Sequence, residues 1–242
     1  MLEPLVLLHG WGLNRCVWDP FLAEFDPPFA FPLDLPGYSC PTVSPYDLAS
    51  LANELLAKSP AHAVWFGSSL GGMIALQAAV MQPKRITKLV LVGTTPRFVK
   101  ERNWEYGTDV EVFMRFAQEL ETDYLKALNR FLLLQAGRTD QSRRLIRELI
   151  ANIDHCGRPV AEVLRSGMQC LQKADLRPLL TSVSCPTLIV QGSLDRITPP
   201  AAAEYLQAHI NGADLHTMHA GHLPFMSHPS DFVNSVDRFL CS

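Results

Sequence analysis

Ser69 stands in the pattern G-x-S-x-G. Residues 67–71 read Gly-Ser-Ser-Leu-Gly; they follow the apolar run 63–66 and precede a helix pattern of small residues. A serine hydroxyl attacks a carbonyl only where it stands clear of the backbone beside a base, and a sharp strand–turn–helix junction exposes it in this way. In this context the pattern favours a nucleophilic serine over a glycine-rich turn with an idle one.

A serine nucleophile needs a base, and the base needs a carboxylate that orients it. In α/β-hydrolases these groups follow in the order Ser, Asp or Glu, His, each after a later strand. Asp195 comes shortly after the apolar run 187–190, and His222 lies in the loop after the last strand-like run. We therefore predict Ser69, Asp195 and His222 as the catalytic residues.

Three other side chains compete for these roles. His219 lies three residues before His222 and suits a structural or supporting role. Asp34 follows a strand but precedes Ser69 and adjoins a turn, which it suits better. Asp214 precedes its strand and so falls at the wrong edge of a parallel sheet.

The reaction also needs two N–H donors for the oxyanion. One is expected from Leu70, the residue after the nucleophile, and the other from the loop after the first strand. That loop reads His-Gly-Trp-Gly at residues 9–12, which makes the backbone N–H of Trp11 the predicted donor. His9 suits a structural role in the loop, and the mechanism needs no metal and no cofactor.

Strand-like and helix-like segments alternate along most of the chain, which predicts an α/β fold with a mainly parallel sheet covered by helices on both faces. One helix is expected to open at Ser44 and Pro45. The stretch 97–175 has helical periodicity and no convincing strand. We predict an α/β-hydrolase core over residues 1–96 and 176–242, with 97–175 as an all-helical lid at the carboxyl edge of the sheet.

Composition limits the function classes. The 242 residues are 48% hydrophobic and 19% charged with a net charge of −3, which gives no sign of nucleic-acid binding. Apolar runs are too short to span a membrane, and no secretory signal is expected. The six cysteines form no C-x-x-C pair, so we expect free thiols in a cytoplasmic protein and, by default, a monomer.

Seven short segments spread over nearly the whole chain form a further pattern. They read LLHGWGLN at 7–14, VW at 17–18, DLPG at 34–37, SLGG at 69–72, NRFLLLQ at 129–135, DLR at 175–177 and SHP at 227–229. Together these segments resemble the pimeloyl-[acyl-carrier protein] methyl ester esterases of biotin synthesis. The most specific are the loop around Trp11 and the stretch 131–135.

The resemblance implies a carboxylesterase that acts on a pimeloyl methyl ester carried by acyl carrier protein on phosphopantetheine. It also implies which residues line the substrate site: Trp11, Ser69, Leu70, Phe131, Leu132, Leu133, Leu134, Gln135 and His222. The lid segment 126–147 has six basic residues and one acidic one. A basic face on an acidic protein suits an anionic carrier. The residues implied to dock the carrier are Lys126, Arg130, Arg143 and Arg147.

Two departures from the family pattern stand out. Ser68 takes a position where tryptophan is common, and Lys126 a position where arginine is expected, which weakens a bidentate phosphate contact there. The alternatives are a broad short-acyl esterase or another lid-bearing hydrolase, such as a C–C hydrolase or a menaquinone-pathway lyase. A non-catalytic binding protein is disfavoured, because a binder has no need of all three catalytic residues.

Overall fold

The described part of the chain forms one six-stranded sheet. The computed structural model describes residues 3–38, 42–136 and 140–241, apart from the side chains of 134–136, 140–143 and 145. The strands are β1 Leu5–Leu8, β2 Ala30–Leu33, β3 Ala63–Ser68, β4 Ile86–Val92, β5 Thr187–Gly192 and β6 Ala213–Met218. They are all parallel, in the order β2-β1-β3-β4-β5-β6, so the predicted α/β class with a mainly parallel sheet is confirmed.

Helices cover both faces of this sheet. They are α1 Asp19–Phe25, α2 Leu48–Lys58, α3 Leu70–Met81, α4 Val110–Thr122, α5 Tyr124–Ala136, α6 Asp140–Cys156, α7 Ala161–Lys173, α8 Pro200–His209, α9 Pro224–Ser227 and α10 Pro229–Cys241. Short 3-10 helices occupy Arg15–Trp18 and Arg177–Ser182. Among the described helices, none is long and apolar enough to cross a membrane.

Alternate residues of the central strands enter two different apolar clusters. In β1, Leu5 and Leu7 join the cluster that includes α1 and α10, whereas Val6 and Leu8 join the one that includes α2 and α3. Because successive side chains of a strand point to opposite faces, each central strand is buried on both sides. This burial fixes the carboxyl ends of β3 and β5, after which Ser69 and Asp195 lie. Strand β6, which precedes His222, is the partly buried edge strand beside β5.

The start of α2 differs from the sequence-based expectation. The helix begins at Leu48, not at Ser44 and Pro45. Asp47 is its N-cap, and the Asp47 side chain accepts a hydrogen bond of 2.8 Å from the backbone N–H of Ser50. An aspartate at this position satisfies one of the free N–H groups of the first turn, so the helix starts there.

Helices α4 to α7, here called the lid helices, lie between β4 and β5 in the chain. Their apolar side chains enter both clusters of the core: Leu132 and Leu149 join that of α1 and α10, and Phe113 joins that of α2 and α3. The ends of the segment also meet, because the backbone N–H of Leu176 donates to Pro96 O at 2.8 Å. The bounds 97–175 for a separate lid stay a prediction.

The cysteines contradict the expectation of free thiols. Cys16, in the first 3-10 helix, forms a disulfide with Cys156, the last residue of α6, across 140 residues of sequence. Cys170, Cys185 and Cys241 are free, and Cys40 lies outside the described residues. Sequence spacing gave no signal for this pair, because the fold alone brings the two segments together.

Candidate active site

Ser69 occupies a strained turn between β3 and α3. It has φ 53° and ψ −117°, a conformation that residues other than glycine seldom adopt. Its backbone N–H donates to Val92 O at 2.9 Å, and its carbonyl accepts from the hydroxyl of Thr94 at 2.7 Å. These bonds hold the turn, which lifts the side chain away from the strand.

The glycines beside this serine are required by close packing. A Cβ atom on Gly67 would lie 2.4 Å from the carbonyl oxygen of Gly71, and one on Gly71 would lie 2.5 Å from that of Leu8. Real Cβ atoms do not come so close to backbone oxygens. The first and last residues of G-x-S-x-G are therefore glycine because β1, β3 and α3 touch at this point.

Asp195 and His222 form a buried pair at the ends of β5 and β6. Their Oδ2 and Nδ1 atoms are 2.7 Å apart. Asp195 also accepts from the hydroxyl of Thr198 at 2.7 Å and from the backbone N–H of Ile197 at 2.8 Å. Burial alone would raise the pKa of Asp195, but attraction to His222 and these hydrogen bonds outweigh it and hold the pKa below its ordinary value.

The competing side chains lie elsewhere. Asp34 receives two bonds from Arg15, one from the backbone N–H at 2.8 Å and one from the guanidinium at 2.6 Å. His219 is exposed, and so is Asp214, near the start of β6 at the opposite edge of the sheet. Ser69 and His222 line one cavity, and Asp195 is bonded to His222. None of the three competitors lines this cavity.

The loop after β1 passes directly beside the serine. A Cβ atom on Gly10 would lie 3.2 Å from Ser69 Cβ. The buried ring of His9 fixes the start of this loop, with Nδ1 2.8 Å from Gly10 O and Nε2 accepting from the backbone N–H of Leu35 at 3.0 Å. The next residue, Trp11, and the first residue of α3, Leu70, are the two predicted oxyanion donors.

The side chain of Trp11 packs against the lid helices. Its indole Nε1 donates to Leu164 O at 3.0 Å, and its ring centroid is 5.2 Å from that of Phe113 and 5.9 Å from that of Phe116. Gly167 makes room for the indole, since a Cβ there would lie 2.6 Å from its ring. The loop that carries the predicted donor is thus attached to α4 and α7.

A cavity of about 300 Å³ opens over Ser69 and His222. Its walls are mostly apolar and aromatic, and four charged residues also line it. The aromatic residues are Trp11, Phe98, Phe113, Phe116 and Phe131, and the charged ones are Arg115, Glu119, Arg130 and Arg196. This volume and lining are typical of a site for a small apolar ligand with a polar end.

No metal site accompanies the cavity. Within the described ranges 3–38, 42–136 and 140–241, no three His, Cys, Asp or Glu side chains are grouped in a way that could hold a metal ion.

Comparison with known proteins assigns the family. The profile of the alpha/beta hydrolase family matches residues 5–236. The pimeloyl-[acyl-carrier protein] methyl ester esterases of Serratia marcescens and Nitrosomonas europaea are 39% and 36% identical to this chain; they cover 98% and 96% of it and are each covered over 94% of their length. The chain belongs to the α/β-hydrolase family. Within it, the chain belongs with the pimeloyl-[acyl-carrier protein] methyl ester esterases.

Solved structures agree on the fold of this α/β-hydrolase. An esterase from Exiguobacterium antarcticum superposes with a TM-score of 0.86 at 22% identity, covering 99% of this chain and 92% of its own. An enol-lactonase from Burkholderia xenovorans superposes with a TM-score of 0.82 at 24% identity over the same shares of the two chains. At these identities the likeness concerns the fold alone.

The predicted acyl-site residues of the hydrolase divide between cavity and core. Phe131 lines the cavity, and its ring centroid is 6.2 Å from that of His222. Leu132 and Leu133 pack into the apolar cluster of α1 and α10 instead. Successive residues of a helix point about 100° apart, so the three cannot all face the cavity. The side chains of Leu134 and Gln135 lie outside the described residues.

The predicted carrier-docking residues of the hydrolase lie on α5 and α6. Lys126 and Arg147 are exposed, and the side chain of Arg143 lies outside the described residues. Arg130 donates to both oxygens of Glu119, at 2.8 and 3.0 Å.

A second cavity, of about 410 Å³, lies between α4 and α5 and includes Lys126. It shares Arg115, Glu119 and Arg130 with the first cavity, so the two are adjacent.

Sequence reasoning missed several residues of this site. Arg115 and Glu119 line both cavities, and Thr198 holds Asp195. A signal for α4 existed, because Val112, Phe113 and Phe116 repeat with helical spacing. Which face of that helix meets the cavity depends on packing that the pattern does not contain.

Proposed function

We propose that this protein is a serine carboxylesterase that hydrolyses the methyl ester of pimeloyl-[acyl-carrier protein] in biotin biosynthesis. Its relatives of that name match it over nearly their full length. The single observation that carries the chemistry is that the strained Ser69 and the Asp195-bonded His222 line the same largely apolar cavity.

In the proposed mechanism His222 takes the proton of Ser69 as the hydroxyl oxygen attacks the ester carbonyl. The backbone N–H groups of Leu70 and Trp11 stabilise the oxyanion, and His222 then protonates the departing methanol. A water molecule activated by the same imidazole releases the acid. Asp195 keeps the proton of His222 on Nδ1, since its Oδ2 lies 2.7 Å away, and stabilises the charged ring.

The shape of the two cavities supports a long substrate. The apolar walls beside Ser69 suit the methylene chain of a pimeloyl group. Arg115 and Arg130 also line the adjacent second cavity, the groove between α4 and α5, whose walls include Lys126. We propose that the pantetheine arm leaves by this groove and that Lys126, Arg130, Arg143 and Arg147 attract the acidic carrier and its phosphate.

Two esters separate the chemistry from the recognition. Ser69→Ala should abolish hydrolysis of both p-nitrophenyl acetate and the carrier-bound pimeloyl methyl ester. Lys126→Glu/Arg147→Glu should lower kcat/KM for the carrier ester by about tenfold and leave the small ester unchanged, because charges at a docking rim act on association. Absorbance of the released p-nitrophenol gives the initial rate for the small ester. Mass spectrometry of the carrier gives the initial rate for the carrier-bound ester.

A matched double variant controls for net charge. Lys84 and Arg238 are exposed and lie outside the lid helices, so Lys84→Glu/Arg238→Glu makes the same change elsewhere. It should leave both rates unchanged. Turnover retained by Ser69→Ala would refute the nucleophile. An equal loss on both esters in the lid variant would refute carrier docking and favour a broad short-acyl esterase. Cytoplasmic location and a monomeric state stay predictions.

A further inference from the structure

The chain segment after β1 is bonded to the lid helices at several points. We call residues 11–16 the oxyanion segment. Besides the bond from the Trp11 indole to Leu164 O on α7, the hydroxyl of Tyr124 on α5 donates to Gly12 O at 3.1 Å. Two lid helices therefore hold the residue whose backbone N–H is the proposed oxyanion donor and the residue after it.

Helix α6 is also bonded to the oxyanion segment, through a buried amide and a covalent bond. Asn14 is fully buried, and its side-chain Nδ2 donates to Ile153 O at 2.8 Å and to Gly157 O at 3.0 Å. Two residues further on, Cys16 forms the disulfide with Cys156. All three lid atoms bonded here belong to one short stretch at the end of α6.

That stretch leads directly into α7, which begins at Ala161 and carries Leu164, the partner of Trp11. The disulfide is the only covalent link among these contacts, and neutral hydrogen bonds contribute modestly by comparison. Fixing Cys156 therefore fixes the junction of α6 and α7 and, through it, the position of the oxyanion segment.

We propose that the Cys16–Cys156 disulfide is a redox-controlled brace: it holds the lid against the oxyanion segment, and its reduction by a dithiol converts the esterase to a slower form. The inference rests on the proposed function in that it takes the Trp11 N–H as an oxyanion donor. It does not depend on which acyl group is the substrate. Disulfides of cytosolic proteins are usually catalytic or redox-sensing, which fits this use.

The chemistry is thiol–disulfide exchange. Cys16 is buried and Cys156 is partly exposed, so a thiolate of the reductant attacks the sulfur of Cys156. The S–S bond breaks, and Cys16 leaves as a thiolate that takes up a proton. The second thiolate of the dithiol then displaces Cys156 from the mixed disulfide. Two electrons pass to the protein, and the dithiol becomes a cyclic disulfide.

The test compares oxidised and reduced wild-type enzyme with p-nitrophenyl acetate as substrate and dithiothreitol as reductant. Reduction should release two thiols and lower kcat by about tenfold, less than the 10²–10³ that loss of a whole oxyanion donor costs. KM should stay within about twofold, because the cavity walls remain. Reoxidation with diamide should restore kcat. Hydrogen exchange of the amides of residues 10–13 should quicken on reduction.

Two variants complete the design. Cys16→Ser/Cys156→Ser should have the reduced kcat and not respond to dithiothreitol, whereas Cys241→Ser, which removes an exposed free thiol, should behave as wild type. Unchanged kcat with two thiols released overturns the brace. So does the release of no thiols, an equal response in the double variant, or an effect on KM alone. If the oxidised wild type does not hydrolyse the ester at all, the proposed function has failed instead.

Discussion

At the scale of single residues, two buried histidines of the site, His222 and His9, have very different surroundings. His222 is paired with a carboxylate, whereas His9 is enclosed in the loop after β1 and bonded to backbone groups of Gly10 and Leu35. Burial lowers the pKa of His9 to about 4, against the raising effects of the Gly10 carbonyl and of Asp34. His9 therefore stays neutral at pH 7, and its ring accepts at Nε2 and donates at Nδ1.

This neutral histidine makes stability depend on pH. In the unfolded chain His9 titrates near its ordinary pKa of about 6.5, so its contribution is complete above that pH. As pH falls towards 4, the unfolded state binds a proton that the folded state refuses, and stability falls. At pH 4.5 the loss amounts to about 2.5 kcal/mol relative to pH 7.5.

Urea unfolding of wild type and of His9→Asn at pH 7.5 and pH 4.5 measures how much His9 contributes to the pH dependence of the free energy of unfolding. The variant is less stable than wild type at pH 7.5, because the bonds to Gly10 and Leu35 are disturbed, but the difference in the free energy of unfolding should narrow by about 2.5 kcal/mol at pH 4.5. His62→Gln replaces an exposed histidine and should follow the wild-type curve. Wild type and His9→Asn differing by the same amount at both pH values would contradict a buried neutral His9.

At the scale of elements, the lid helices are anchored where their segment leaves and rejoins the core. Arg97 Nη1 lies 3.0 Å from Asp175 Oδ2, and Arg177 donates to both oxygens of Asp175, at 2.9 and 2.6 Å. Hydrogen bonds from Arg177 hold the pKa of Asp175 below its ordinary value, although partial burial opposes them. One carboxylate thus ties both ends of the segment together through two guanidinium groups.

Asp175→Asn should weaken this anchor. Arg177 loses its carboxylate partner, and Arg97 keeps only its pair with Glu101. We therefore expect the free energy of unfolding at pH 7 to fall by about 2 kcal/mol, less than for a fully buried pair because Asp175 is 25% exposed. Denaturant melts measure it. The control is Asp109→Asn, which breaks a surface pair with Lys100 at 63% exposure and should cost under about 0.5 kcal/mol. An equal loss of unfolding free energy in the two variants would show that the Asp175 ion pairs stabilise the protein no more than an exposed surface pair does.

Elements with a strong local pattern were predictable from the sequence. Strands β1, β3, β4 and β5 contain short apolar runs, and α3 follows the serine at once. The start of α2 was misplaced, because Ser44 with Pro45 and Asp47 both carry N-terminal signals and only packing chooses between them. Leu132 and Leu133 were assigned to the substrate site because a linear motif does not show the rotation of α5 about its axis.

At the scale of the molecule, the predicted active site depends on contacts between distant parts of the chain. The disulfide joins residues 140 positions apart, and Asn14 reaches the end of α6 across a similar distance. No local sequence pattern predicts such contacts, because they depend on how the lid helices pack against the rest of the fold. The order Ser, Asp, His could be predicted, since parallel strands bring their carboxyl ends to one edge.

The distribution of charge over the whole molecule predicts that binding of the carrier depends on salt. The lid segment 126–147 is strongly basic on a chain whose net charge is −3. Between 0.05 and 0.5 M salt the screening length falls from about 14 to about 4 Å, so attraction of an acidic carrier should weaken. We expect KM for the carrier-bound ester to rise about fivefold, with kcat unchanged.

The design separates screening at the lid from general effects of salt on the enzyme. The rate with p-nitrophenyl acetate should stay flat over the same range, because a neutral ester has no charge to screen. In Lys126→Glu/Arg147→Glu the KM for the carrier ester should start high and change little with salt. In the Lys84→Glu/Arg238→Glu control, the KM for the carrier ester should rise with salt as steeply as in wild type. If the lid variant kept the wild-type slope as well, the attraction would have to come from another face, and the groove between α4 and α5 would lose its role as the route to Ser69.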